Sequence, residues 1–153
     1  MNLKRITKKD QLNLKKLYFD SIISIDESIY SKEQKRAWAS QAWENKNFDL
    51  SIKDGKGWLI KNNEKISAFA TRYPNNRIAL LYTRGDSQRR GYATKLLKKL
   101  EKESQKEGLT FLSTEASLLS YKLFLRNNWE IIRKEKIIIK NIIFERYKMI
   151  KNF

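Results

Sequence analysis

DSQRRGYATKLLKKL, residues 86–100, sets two arginines and a lone glycine at the mouth of an amphipathic helix. Ala93, Leu96, Leu97 and Leu100 recur at i, i+3, i+4 and i+7, with lysines on the opposite side, so Gly91 opens a helix with one apolar face. The first N–H groups of a helix have no intrahelical partner. They add to a partial positive charge of about half an electron at that end. Gly91 removes the Cβ that would hold an anion off the backbone, and Ala93 is nearly as small. Two ligands suit such a place: a phosphate-bearing cofactor and the backbone of a nucleic acid. The stretch is neither a P-loop, since G-x-x-x-x-G-K-[ST] is absent, nor a dinucleotide-binding G-x-G-x-x-G.

Outward from this helix the chain alternates element types. Upstream, IALLYT (78–83) reads as a strand, and GWLIK, the polar turn NNEK and ISAFATRY (57–73) read as a β-hairpin. Further back, residues 3–6 form a short edge strand. Asp10 opens a helix with Leu14, Leu17, Tyr18, Ile22 and Ile25 on one face. Ser31 with Gln34 makes a capping box that starts a second helical stretch through Trp38 and past Trp43. Downstream, Gly108 ends the central helix, LTFLST (109–114) is a strand and SLLSYKLFLRNN (117–128) a helix. Two isoleucine-rich runs, 129–140 and 141–150, close the chain as strands about Lys140–Asn141. The expected fold is a single α/β (α+β) domain over residues 1–153, with a mixed, mainly antiparallel sheet of about six or seven strands and about four flanking helices.

Composition narrows the chemistry. The 153 residues contain no cysteine and no histidine. Thiolate nucleophiles, histidine bases and the usual zinc sites are therefore excluded, and no metal is expected. Acid–base work falls to Asp, Glu, Lys, Tyr or water. The net charge is +16, which attracts polyanions. The lysines are scattered along the chain, whereas five of the ten arginines, Arg72, Arg77, Arg84, Arg89 and Arg90, fall within nineteen residues. Guanidinium forks grip phosphate in a bidentate way. No window approaches the roughly 18 apolar residues of a membrane span, and MNLKRITKKD has no apolar stretch of signal-peptide length. A cytoplasmic protein without a membrane partner is the expectation.

Gln88-Arg89-Arg90-Gly91-Tyr92-Ala93 matches (Q/R)-x-x-G-x-(G/A). In its strand–loop–helix setting it resembles the acyl-CoA loop of the GNAT superfamily of N-acyltransferases, and the order of elements along nearly the whole chain is similar to that family as well. The resemblance implies that main-chain N–H groups of Gln88, Arg89, Arg90, Gly91, Tyr92, Ala93 and Thr94 hold the CoA diphosphate, with the Arg89 and Arg90 side chains as further phosphate partners. It implies that the strand before the loop, at Leu81, Tyr82 and Thr83, grips the pantetheine arm. In the later region, Ser117 stands where a polar residue contacts pantetheine. The family's F-Y-x-x-x-G-F reads here Leu123-Phe124-Leu125-Arg126-Asn127-Asn128-Trp129. Phe124 thus takes the place of a tyrosine near the CoA sulfur, and Asn128 that of a glycine. Asn tolerates the left-handed backbone nearly as well as Gly.

With Phe124 at that place, Tyr121, three residues earlier, is the expected replacement acid. Glu115, at the end of a strand beside the thioester, is the expected base. Tyr30 and Trp38 are expected to frame the acceptor, with Trp43 at hand and Asp26 and Glu27 near enough to attract a cation. The resemblance implies acetyl-CoA as co-substrate, a primary amine as acceptor, and a monomer or homodimer. Two other readings stay open at this point: a basic nucleic-acid-binding module, less favoured because it lacks zinc ligands and any recognisable RNA-binding signature, and a CoA-binding sensor without turnover.

Overall fold

The computed structural model describes residues 2–153. Seven strands form one sheet in the order β1-β2-β3-β4-β5-β7-β6. They are β1 (Asn2–Arg5), β2 (Lys56–Asn62), β3 (Lys65–Arg72), β4 (Arg77–Thr83), β5 (Phe111–Ser117), β6 (Glu130–Ile139) and β7 (Ile142–Asn152). Every neighbouring pair is antiparallel except β4 and β5. The mixed, mainly antiparallel sheet expected from the sequence is therefore the one observed. Helices α1 (Gln11–Ile23), α2 (Lys32–Ala39), α3 (Gln41–Glu44) and α4 (Lys46–Lys53) precede β2, α5 (Tyr92–Lys106) follows β4, and α6 (Tyr121–Arg126) follows β5.

Two apolar cores lie on opposite faces of the sheet. Leu14, Leu17, Tyr18 and Ile22 of α1 pack with Phe48 and Ile52 of α4 against Leu59 and Phe69. On the other face Leu96, Leu97 and Leu100 of α5 pack with Ile78, Leu112, Phe124 and Met149. Those three leucines are at most 1% exposed, each stabilising the fold by about 1.5–3 kcal/mol. The Ser31 capping box is present, with Ser31 Oγ accepting the Gln34 N–H at 3.1 Å and Gln34 Oε1 accepting the Ser31 N–H at 2.9 Å. Lys140 and Asn141 both have positive φ and turn β6 tightly into β7. Asn128 takes the left-handed conformation foreseen for it, at φ 68°.

Differences from the sequence reading are local. The stretch after Trp43 breaks at Asn45, whose side chain accepts the Asn47 N–H at 2.9 Å and starts α4 as a separate helix. The helix expected over 117–128 shortens to 121–126, because Ser117 and Ser120 bond to each other's main-chain N–H at 3.1 and 3.2 Å and hold the chain in a turn. Among the described residues, no helix is long and apolar enough to cross a membrane.

Candidate active site

The site begins with a break in the sheet. The β3–β4 register slips so that Thr71 lies opposite Leu80 but Arg72 opposite Ile78. Ala79 is the extra residue, a β-bulge that bends the strand and resets its alternation. Before the bulge, the Arg77 carbonyl turns to β3 and accepts the Tyr73 N–H at 2.9 Å. The Ile78 carbonyl turns to β5 and accepts the Thr114 hydroxyl at 2.9 Å. After it, the Arg84 N–H donates to the Ser67 carbonyl at 2.9 Å. By alternation the main-chain groups of Leu80 and Tyr82 face β3, while those of Leu81 and Thr83 face away from it.

What they face is a gap. β4 meets β5 only at Arg77↔Ser113 and Ile78↔Thr114. From there β5 runs on with β7, as far as Ser117 opposite Arg146. The outward edge of residues 80–83 therefore borders a wedge that no described strand enters. The Thr83 carbonyl is already taken by Gln88 Nε2 at 2.9 Å, which braces the loop that follows. The Leu81 main chain and the Thr83 N–H remain available to an extended ligand.

At the mouth of the wedge stands the loop that opens α5. Arg89 (φ 62°) and Gly91 (φ 77°) both adopt left-handed backbone. For Arg89 that conformation costs about 1–2 kcal/mol, the kind of strain that persists at ligand clamps. Gly91 is the N-cap and supplies no side-chain cap. Among the described residues, none of the N–H groups of residues 88–94 finds a protein acceptor. A run of free amides at a positive helix end is a cradle for an oxyanion. The exposed Arg89 and Arg90 side chains flank it.

Cradle and wedge open into one cleft of about 1080 Å³, at the top of the range for small-molecule sites. It passes through the sheet. On the α5 side it is bounded by Leu81 and Phe124, and on the α1–α2 side by Tyr18, Tyr30, Trp38 and Tyr82.

The sequence model of the acetyltransferase (GNAT) family matches residues 19–126, which spans the loop, the wedge and both strands that border it. The chain belongs to the GNAT family of acetyltransferases. Solved structures share the fold. A GCN5-related N-acetyltransferase from Rhodopseudomonas palustris superposes with a TM-score of 0.92 at 22% identity, over 99% of this chain and 95% of that one. An N-acetyltransferase from Thermoplasma acidophilum, solved in complex with coenzyme A, gives 0.74 at 16% identity over 100% of both chains. A ribosomal-protein-alanine N-acetyltransferase from Brucella melitensis gives 0.68 at 16% identity, again over 100% of both. No curated protein matches the chain in sequence at a significant level.

Within this GNAT domain, Leu81, Tyr82, Thr83, Gln88 to Thr94, Ser117, Phe124, Glu115, Tyr30 and Trp38 all border the same cleft. Tyr121 does not. Its ring lies on Tyr147, centroids 4.4 Å apart, outside the cleft wall. Its place against Tyr147 gives the expected acid role no support from the cleft lining. α6 makes only about one and a half turns, and Tyr121 and Phe124, though three residues apart, point to different neighbours. Phe124 is fixed edge-on against Trp129 at 4.9 Å, and Trp129 Nε1 donates to Glu101 Oε2 at 2.9 Å.

Glu115 lies in the cleft but is not free. Arg77 Nη2 stands 2.8 Å from its Oε1 and Lys148 Nζ 3.2 Å from its Oε2. Burial pushes its pKa up, but the Arg77 hydrogen bond and charge, with Lys148 behind them, outweigh burial and hold the carboxyl below its ordinary value. A carboxylate so committed is a poor proton acceptor, so the expected base role does not fit this geometry. Asp26 and Glu27 miss the cleft: Asp26 accepts the Ser28 N–H at 2.8 Å and Glu27 pairs with Lys32 at 3.9 Å. Trp43 also lies outside it, 51% exposed and edge-on to Phe19.

The phenols of the cleft are held in an aromatic cluster. Tyr18 packs on Tyr82 at 4.6 Å, and Tyr30 on Trp38 at 5.1 Å. Tyr30 Oη accepts the Leu118 N–H at 2.9 Å, and burial pushes its pKa up. Burial pushes the Tyr82 phenol up to about 12. Sequence reasoning missed Tyr18, Arg77, Arg126 and Arg146 as lining residues. Tyr18 reads as core because it shares the buried face of α1. Arg77 and Glu115 are 38 residues apart, and no local pattern ties them together.

Proposed function

We propose that the protein moves an acetyl group from acetyl-CoA to a primary amine by direct transfer within a ternary complex. The observation that carries this is the unpartnered run of main-chain N–H groups at residues 88–94, set beside the outward edge of β4. A diphosphate satisfies the first and an amide-bearing arm the second, and pantetheine diphosphate joins both in one molecule. Leu81 and Thr83 grip the arm, Tyr82 closes the wall behind it, and Ser117 and Phe124 face it across the wedge. Arg89 and Arg90 add charge at the phosphates. No metal enters the scheme.

The acceptor comes from the opposite face, between Tyr30, Trp38, Tyr18 and Tyr82. Its nitrogen must be neutral to attack the thioester carbon. For an amine of pKa ~10.4 that deprotonation costs about 4–5 kcal/mol at neutral pH. Burial against aromatic rings and the nearby cations Arg77 and Lys148 both disfavour the ammonium form. With no histidine present and Glu115 clamped, water in the cleft carries the proton away. The nitrogen–carbon bond forms, the nitrogen of the tetrahedral adduct gives a second proton to water, and the carbon–sulfur bond breaks. The CoA sulfur departs as a thiolate of pKa about 8.5, a deficit of about 2 kcal/mol at pH 7. Phe124 supplies no proton. Tyr30, its pKa raised by burial, steadies the thiolate by hydrogen bonding and keeps its own proton. Positioning supplies much of the remaining acceleration.

Acetyl-CoA raises the melting temperature if this reading holds, since a ligand of the native state stabilises it. Thiol release with a panel of primary amines then reports turnover. A thermal shift with no release from any amine favours a CoA sensor, the reading that Phe124 keeps open. Absence of any shift, with tight and salt-resistant DNA binding, overturns the transferase reading in favour of the nucleic-acid module.

A further inference from the structure

The floor of the cleft on the α1–α2 side, at Arg77, Glu115 and Arg146, is continued beyond the cleft by a row of alternating charges. Strand register sets Glu115 opposite Lys148, Lys148 opposite Arg133, and Glu135 opposite Arg146. Directly opposed residues share a face of the sheet, and positions 146 and 148 share it by the strand's period of two. Each carboxylate is gripped from both sides. Glu115 lies between Arg77 (2.8 Å) and Lys148 (3.2 Å), and Glu135 between Arg146 (2.7 Å) and Arg133 (3.3 Å). Four cations share two carboxylates, so two positive charges are left over. The Glu115 and Glu135 side chains are only 14% and 21% exposed, and partly buried charges are weakly screened by salt.

The rest of the cleft wall does not offset this excess. Beyond Arg77, Glu115 and Arg146 it carries, among the described residues, four basic side chains, Arg89, Arg90, Arg126 and Lys140, and one acidic one, Glu145. Glu145 is itself bound to Lys134 at 2.9 Å. Arg89 and Arg90 stand at the cradle, whereas Arg77 stands at the closed corner where β4 meets β5 and Arg146 across the wedge, directly opposite Ser117. The acceptor side therefore has no free carboxylate to hold a second ammonium, and a polyamine entering it meets like charge.

We infer that the acceptor is an amine that also bears a carboxylate on an aromatic or branched apolar body. The carboxylate lies toward Arg146 and Arg77, and the apolar body lies against Tyr18, Tyr30, Trp38 and Tyr82. This rests on the acetyl-transfer reading above and narrows its acceptor. A positive floor also disfavours the ammonium form of the same molecule, so recognition and activation draw on one feature.

The test compares acceptors that differ in charge alone. 4-(Aminomethyl)benzoate and 4-(aminomethyl)benzamide share ring and amine, and spermidine is the polycation. By thiol release, kcat/KM for the benzoate exceeds that for the benzamide at least tenfold, and spermidine is poorest. Calorimetric titration with 4-methylbenzoate and 4-methylbenzamide, which carry no amine, gives the same order of affinity without turnover. Arg146→Gln removes the preference in both measurements, leaving Glu135 to Arg133, and Arg146→Lys retains it. Equal affinity for acid and amide, or preference for spermidine, overturns the inference and leaves acetyl transfer standing. Selective binding of 4-methylbenzoate with no response to acetyl-CoA supports the anion site and removes the transferase reading instead.

Discussion

Helix α5 carries a controlled experiment in its two terminal glycines. Gly91 precedes it at φ 77° and Gly108 follows it at φ 82°, and a Cβ added at either meets no atom within 4 Å. Alanine at either site therefore costs only backbone strain, about 1–2 kcal/mol for a residue held left-handed. In a chain of this length each kcal/mol lowers Tm by about 2–4 °C, so both variants should melt roughly 2–8 °C below the parent. Their effects on the coenzyme should part. At Gly108 the new methyl stands at the far end of the helix. At Gly91 it stands in the cradle, where it holds an oxyanion off the amides, and relaxing its φ re-aims those amides. Isothermal titration with CoA should show Kd raised at least tenfold in Gly91→Ala and unchanged in Gly108→Ala, at matched loss of Tm. Equal CoA affinity in the two variants refutes the claim that the amides of residues 88–94 hold the diphosphate.

Tyr121→Phe should leave kcat with acetyl-CoA within about twofold of the parent, because the hydroxyl lies outside the cleft; a large loss would return Tyr121 to the chemistry. Glu115→Gln should lower Tm at pH 7 by about 3–12 °C, from about 1.5–3 kcal/mol of charged hydrogen bonding. The folded-state pKa of Glu115 is depressed, so its contribution is complete above the ordinary carboxylate value and lost as pH falls through the lowered one. The two melting curves should accordingly converge in acid, and a difference that persists there would contradict the ion-pair account. Between pH 6 and 9 Glu115 stays ionised and Tyr82 protonated. kcat/KM should then rise with pH in step with the acceptor amine, and a limb that stays fixed when the amine is changed would point to a titrating protein base.

The sequence exposed whatever is encoded locally. Ser31 and Gln34 announce a helix start three residues apart, the leucines of α5 repeat at helical spacing, and Asn128 can stand for glycine because both tolerate positive φ. The loop at 88–93 was legible for the same reason. The wedge was not, since it follows from a single bulged residue, Ala79, whose consequence appears only when β3 and β5 lie on either side of it. Nor was the fate of Glu115, which depends on Arg77 and Lys148, one on each neighbouring strand. The surroundings of Tyr121 were not legible either, because spacing along a helix gives an angle but not the neighbours around it, and those were set by the shortness of α6 and by Tyr147 on β7.

The sparse joint between β4 and β5 has a mechanical consequence. Strands β1 to β4 form one leaf, β5 to β7 another, and two register pairs, the Thr114–Ile78 bond and the Arg77–Glu115 bridge hinge them at one corner. An extended molecule seated in the gutter completes the missing ladder and ties leaf to leaf. The two leaves share the cores on either face, so in the unliganded chain the fast-exchanging amides should be those that border the gap, and the coenzyme, acting as an eighth strand of foreign chemistry, should slow them.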